Sequence, residues 1–91
     1  MAFLAENITT AGAKAGVLVT CPTTLKAQGV VAPTDIQFSA TDANYVTTGY
    51  QFANKAEGGR RIEMNGDFYL RAVVNHVDAS TNFDIEIVPD A

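Results

Sequence analysis

The residues able to do chemistry are few, and their spacing does not bring them together. His76 is the only histidine, with Asp78 and Ser80 following at two-residue steps. A nucleophile triad needs a base standing between the nucleophile and an orienting carboxylate. Three residues within five positions at one strand end do not converge that way. His76 instead reads as the residue that closes an apolar row where it meets solvent. Cys21 is the only cysteine and sits beside Pro22. No helix N-terminus or neighbouring base is evident to lower its pKa, so it reads as a small buried hydrophobe.

Metal chemistry fares no better. A structural zinc site wants four Cys or His ligands, and one of each is present. Asp35, Asp42, Asp67, Asp78 and Asp90 fall in stretches with turn character, where an Asp side chain bonds the local backbone. No loop has the alternating oxygen ligands of a calcium site. The expectation is no catalytic residue, no metal and no cofactor.

Two further clusters hold residue types suited to ligand contact. Gly58-Gly59-Arg60-Arg61 offers backbone amides and guanidinium forks to an anion. It lacks the strand-to-helix setting of a phosphate loop, so it reads as a hairpin tip with two solvated arginines, contact with an acidic partner surface being the next reading. Tyr45, Tyr50 and Tyr69, with Phe52, could form a sugar-stacking platform. Aromatics at strand spacing are more often core, and the chain has no Trp.

These residues have to be positioned by strands. The chain has 91 residues, ten of them Thr, and abundant Val, a composition that favours strands over helices. The length suits one domain, 1–91, with a single core. The formal charge is −4 with six Lys and Arg. Nucleic-acid binding needs a basic stripe to displace counterions from phosphates, so that partner is not expected. Uninterrupted apolar runs such as Ala72-Val73-Val74 are far short of a membrane span. The opening MAFLAENITT has no basic start and no sustained apolar segment, unlike a signal peptide. One cysteine fits a reducing cytoplasm.

Side chains in a strand alternate faces, and Asp67–Val88 shows the alternation most plainly. Phe68, Leu70, Ala72 and Val74 share one face; Phe83, Ile85 and Ile87 share another. Asp78-Ala79-Ser80-Thr81-Asn82 between them is turn chemistry, which predicts a β-hairpin. Upstream, Val46, Thr48, Tyr50 and Phe52 share a face of a strand running to about Asn54, and Ala56-Glu57-Gly58-Gly59 reads as the next hairpin turn. A two-residue turn at Asn65-Gly66 would set Arg61 and Glu63 beside Leu70 and Phe68. Slipping by one pairs Met64 with Phe68 and Ile62 with Leu70, which predicts a three-residue loop, Asn65 to Asp67, with a bulge at Gly66. The second half is then a four-strand meander: 45–54, 60–64, 68–77 and 83–88. Arg71 is expected to pair across the last hairpin with Glu86.

The first half is less regular. Val17-Leu18-Val19-Thr20 is a short strand that Pro22 ends, lacking an N–H for the ladder. Thr23–Gln28 reads as one helical turn or a loop. Val30-Val31 and Ile36-Gln37-Phe38 are short extended pieces. The face Tyr69, Arg71, Val73, Asn75 and Val77 is apolar enough to need a cover, either the N-terminal half or another subunit. The fold class expected is all-β, a small antiparallel sandwich or barrel.

Only 18% of the residues are charged, against about a quarter in typical domains, which points to surface buried in a partner. In size and composition over its whole length the chain resembles the small virion proteins of tailed bacteriophages, notably capsid decoration (cement) proteins. That resemblance implies a non-enzymatic virion component, assembled in the host cytoplasm. Its partners would be other copies of itself, as in a trimer, and a capsid or tail shell protein, with no membrane. Residues 1–12 would be an extended contact arm, with Phe3, Leu4 and Ile8 as contacts alongside Arg60 and Arg61. Two other classes stay open: a carbohydrate- or ligand-binding module using the three tyrosines, and an oligomeric enzyme with an inter-subunit site at His76.

Overall fold

The computed structural model describes residues 2–89, and in it the chain is all-β and antiparallel, with no helix among the described residues. Met1, at the head of the expected arm, and Asp90, expected in a turn, lie outside those residues. The strands are β1 Ala2–Ile8, β2 Gly12–Ala13, β3 Val17–Val30, β4 Thr34–Ser39, β5 Val46–Phe52, β6 Gly58–Val74 and β7 Asn82–Pro89. They form one sheet in the order β1-β7-β3-β6-β4-β5, with β2 also on β6. The sheet is not closed into a barrel.

Two strands dominate. β3 and β6 pair over nearly their whole lengths, from Val17 opposite Leu70 to Ala27 opposite Gly58. At one end this pair is flanked by β4, which meets β6 over Thr34–Ser39 and Val74–Tyr69. At the other it is flanked by β7, which meets β3 from Thr23 opposite Pro89 to Val30 opposite Asn82. Each long strand therefore belongs to two groups: β1-β7-β3-β6 around the second half of β3, and β3-β6-β4-β5 around its first half.

A period-two pattern explains why the core forms on one face. In β3, Val19, Cys21, Thr23, Leu25 and Ala27 are buried; in β6, Ile62, Leu70, Ala72 and Val74 are; in β7, Phe83, Ile85 and Ile87 are. Apart from the polar Thr23, they make a single apolar cluster with Leu4, Ile8, Ile36 and Phe52. The buried rows expected from Phe68–Val74 and Phe83–Ile87 are present, Phe68 itself being half-buried.

The meander is corrected. β6 is one continuous strand through Asn65-Gly66, with no turn there. Ile62, Met64, Gly66, Phe68 and Leu70 have the same parity, which is what an unbroken strand gives without any slip in register. Gly66, at φ 121°, takes a conformation that a side chain would resist. The extra residues of β6 are absorbed opposite Pro22: the register steps from Cys21–Gly66 to Thr23–Ile62. Pro22 thus lies at an irregularity where no partner asks for its missing N–H, and β3 runs on past it. Thr23–Gln28 is accordingly strand, neither helical turn nor loop.

The last hairpin is corrected too. β7 pairs with β1 and β3, not with β6, because β3 lies between them. Residues 75–81 are long enough to step across one strand. They are tied down on the way, the Asn75 amide donating to the Pro33 carbonyl at 2.9 Å and the Asn75 side-chain amide to the Asp35 carboxylate at 3.2 Å. Likewise β5 pairs with β4, not β6, so residues 53–57 are a crossover rather than a hairpin turn. Asp35 and Asp67 sit within strands, not turns.

Core position decides stability here. Leu70→Ala removes a fully buried side chain and should lower the free energy of unfolding by about 2–5 kcal/mol in urea titration. Val46→Ala, at a position 54% exposed, should change it by less than about 0.5 kcal/mol.

Candidate functional site

The residues first suspected of chemistry are engaged elsewhere. His76 is exposed in the 75–81 connection. Asp78 accepts from the Ser80 hydroxyl at 2.7 Å and the Ser80 amide at 2.9 Å. Those bonds, with Lys55 at 3.9 Å, hold its carboxyl below the usual range. Asp78 and Ser80 thus build a turn, with no bond toward His76. Cys21 is buried, and burial, with the charge of Asp67 second, pushes its thiol pKa up. No three His, Cys, Asp or Glu side chains gather as metal ligands among the described residues.

The expected contact residues separate into two groups. Leu4 and Ile8 are 3% and 2% exposed, on an edge strand paired with β7. Phe3 is half-buried. The segment from Ala2 to Ile8 is therefore a strand of the sheet, not a loose arm, and its two most apolar side chains are already inside the core. Arg60 and Arg61 are exposed on β6. Arg60 Nε donates to the Gln51 carbonyl at 3.0 Å, and Arg61 Nε pairs with Glu63 at 3.1 Å.

The three tyrosines do not form one platform. Tyr50 packs against the core. Tyr45 folds over the outer face of the sheet, where the Arg71 guanidinium carbon lies 4.2 Å from its ring centroid. Arg71 Nε also donates to Gln37 Oε1 at 2.9 Å. The expected Arg71–Glu86 pair is thus corrected, since β3 separates those strands; Glu86 accepts from Gln28 at 3.0 Å. The Tyr45 hydroxyl donates to the Asp42 carboxylate and rests on the backbone of Gly16. A Cβ at Gly16 would overlap both groups and lie 3.1 Å from Tyr45 Cζ. The β4–β5 loop, organised on the Ser39 hydroxyl, which receives the Thr41 and Ala43 amides at 3.1 Å each, thereby covers part of the face that needed cover.

What remains uncovered is a strand edge. Val17–Cys21 pairs with β6 on one side, while β7 begins pairing with β3 only at Thr23. Among the described residues nothing pairs with the other side of these five residues. Alternate residues on an unpaired edge direct their N–H and C=O groups outward. Beside this edge is an open groove of about 360 Å³ lined by Ala2, Val17, Leu18, Val19, Ile87 and Pro89 among others. Leu18, 57% exposed, is the most exposed large apolar side chain among the described residues.

The other sheet edges carry features that discourage pairing. β1 has two register shifts, Asn7 at positive φ and Glu6. The Gly58–Ile62 part of β6 has Arg60 and Arg61. β5 carries Gly49 at φ 85° and a register shift around it. The Val17–Cys21 edge has no charge, no glycine and no bulge within it. Sequence reading saw Val17–Thr20 as a strand and missed it as a surface; the signal was the absence of Asp, Glu, Lys and Arg from residue 15 to residue 25.

Comparison with protein-family models, curated proteins and solved structures returns no match.

Desolvation and then the Asp42 hydrogen bond push the Tyr45 pKa up to about 12. The raised value favours the neutral phenol in the fold, a contribution present below the ordinary value of 10.0 and lost as pH rises through about 12. Gly16→Ala should dislodge the hydroxyl from Asp42. Ultraviolet titration of phenolate should then show one tyrosine moving from near 12 toward 10. A titration curve unchanged by Gly16→Ala would contradict this packing.

Proposed function

We propose that this chain is a non-catalytic structural protein that works by docking. On this reading it is a virion component of the decoration or cement kind, self-associating and binding a larger capsid or tail shell protein, as its resemblance implies. The observation carrying the proposal is the uncharged Val17–Cys21 edge with Leu18 exposed beside an apolar groove. Large apolar side chains next to unpaired backbone groups are costly in water, and a docked polypeptide satisfies both. The low charged fraction supports the same reading.

Catalysis would need convergent polar groups, and His76, Asp78 and Cys21 are separately engaged or placed apart. A sugar platform would need free aromatic faces, and one face of Tyr45 is taken by Arg71.

The test is a glycan and metabolite titration followed by backbone chemical shifts, run beside a panel of hydrolase and transferase substrates. The docking reading predicts no saturable shifts at Tyr45 or Tyr69 and no turnover dependent on His76. Saturable glycan binding at those tyrosines, or turnover lost in His76→Ala, would contradict it.

A further inference from the structure

We infer that the Val17–Cys21 edge pairs with the same edge of a second copy of this chain, two β3 strands meeting antiparallel across a two-fold axis. The inference rests on the docking reading above and names the partner.

The backbone decides what can fit. A free strand edge presents a row of donors and acceptors at fixed spacing, which only another extended segment satisfies along its length. The open stretch is five residues, about 17 Å at strand rise.

Charge decides between partners. Two copies each carrying −4 repel over most approaches, and like charges placed directly opposite in a ladder destabilise it. Residues 15–25 hold no Asp, Glu, Lys or Arg, so self-pairing there puts no charge against its own image. Pairing through Arg60 and Arg61, or through Glu6, would not meet that condition.

The edge also matches itself. A two-fold interface presents one patch twice. Centred on Val19, it sets Val17 opposite Cys21 and Leu18 opposite Thr20 of the other copy. Alternation then keeps Val17, Val19 and Cys21 on the core side of both chains, and Leu18 and Thr20 on the outer side. A five-residue edge is short against the roughly 1,200–2,000 Å² that stable interfaces bury, so the pair should be weak and concentration-dependent.

The experiment is sedimentation equilibrium of the full chain from about 10 μM to 1 mM, with Leu18→Lys and Val46→Lys beside it. Both positions are more than half exposed, so circular dichroism and Tm should stay close to wild type. The expected result is a concentration-dependent dimer in the wild type and in Val46→Lys, with association at least tenfold weaker in Leu18→Lys. In isotope-filtered spectra of a mixed sample, the Leu18 and Thr20 methyls of different copies should show contacts. Association that survives Leu18→Lys, or that Val46→Lys abolishes, would overturn the two-fold pairing while leaving the docking reading intact. A wild type that stays monomeric at 1 mM would overturn it as well, and with it the self-association in the docking reading, whose non-catalytic part is judged separately by the ligand titration.

Discussion

The pairing of β3 with β6 is the constraint on which the rest of the sheet depends. Both strands are longer than the usual five or six residues, 14 and 17 respectively. Each contributes to two groups of neighbours, so their alternation has to hold across the register shift between Cys21 and Thr23. It does: odd residues of β3 and even residues of β6 face the apolar cluster on both sides of the irregularity at Pro22. β4 and β7 then find their places by laying apolar rows against faces already fixed.

The same arrangement creates the surface on which function is argued. Among the described residues β3 outruns β7, leaving Val17–Cys21 paired on one side only. Elsewhere the sheet margins are blunted by charge, bulges or glycine, devices that keep strand edges from pairing indiscriminately. Their absence from one five-residue stretch is a local property, and it coincides with the most exposed leucine and an apolar groove. The outer face nearby is treated differently. There the β4–β5 loop lays Tyr45 over Arg71 and against Gly16, so half-buried side chains are covered by the chain itself.

Much of the core was legible because burial writes a period of two into the sequence. Leu70, Ala72, Val74, Phe83, Ile85 and Ile87 could be assigned to the core from alternation alone. Which strand lies beside which was not legible in the same way, since alternation reports a face and says nothing of a neighbour. Asn65-Gly66 has the composition of a tight turn, yet parity is conserved across it, and an unbroken strand satisfies that parity without adjustment. Asp78–Asn82 has turn chemistry and does form a turn, with Asp78 bonded to Ser80. The chain nonetheless emerges from it beside β3 instead of β6. Pro22 would end a regular strand, but a register irregularity accommodates it. The open edge was hidden for a related reason: exposure of Leu18 depends on where β7 stops pairing, a long-range fact that no local window contains.

Cross-strand NOEs in uniformly labelled protein test this arrangement most directly. With β7 beside β3, contacts are expected between the backbone protons of Leu25 and Ile87 and between those of Ala27 and Ile85, with Leu25 also contacting Arg60 on its other side. Contacts joining Phe83 or Ile85 to Leu70 through Val74 in an antiparallel ladder would show the 75–81 segment to be a hairpin. β3 would then no longer stand between β6 and β7, and the open edge at Val17–Cys21 would go with it.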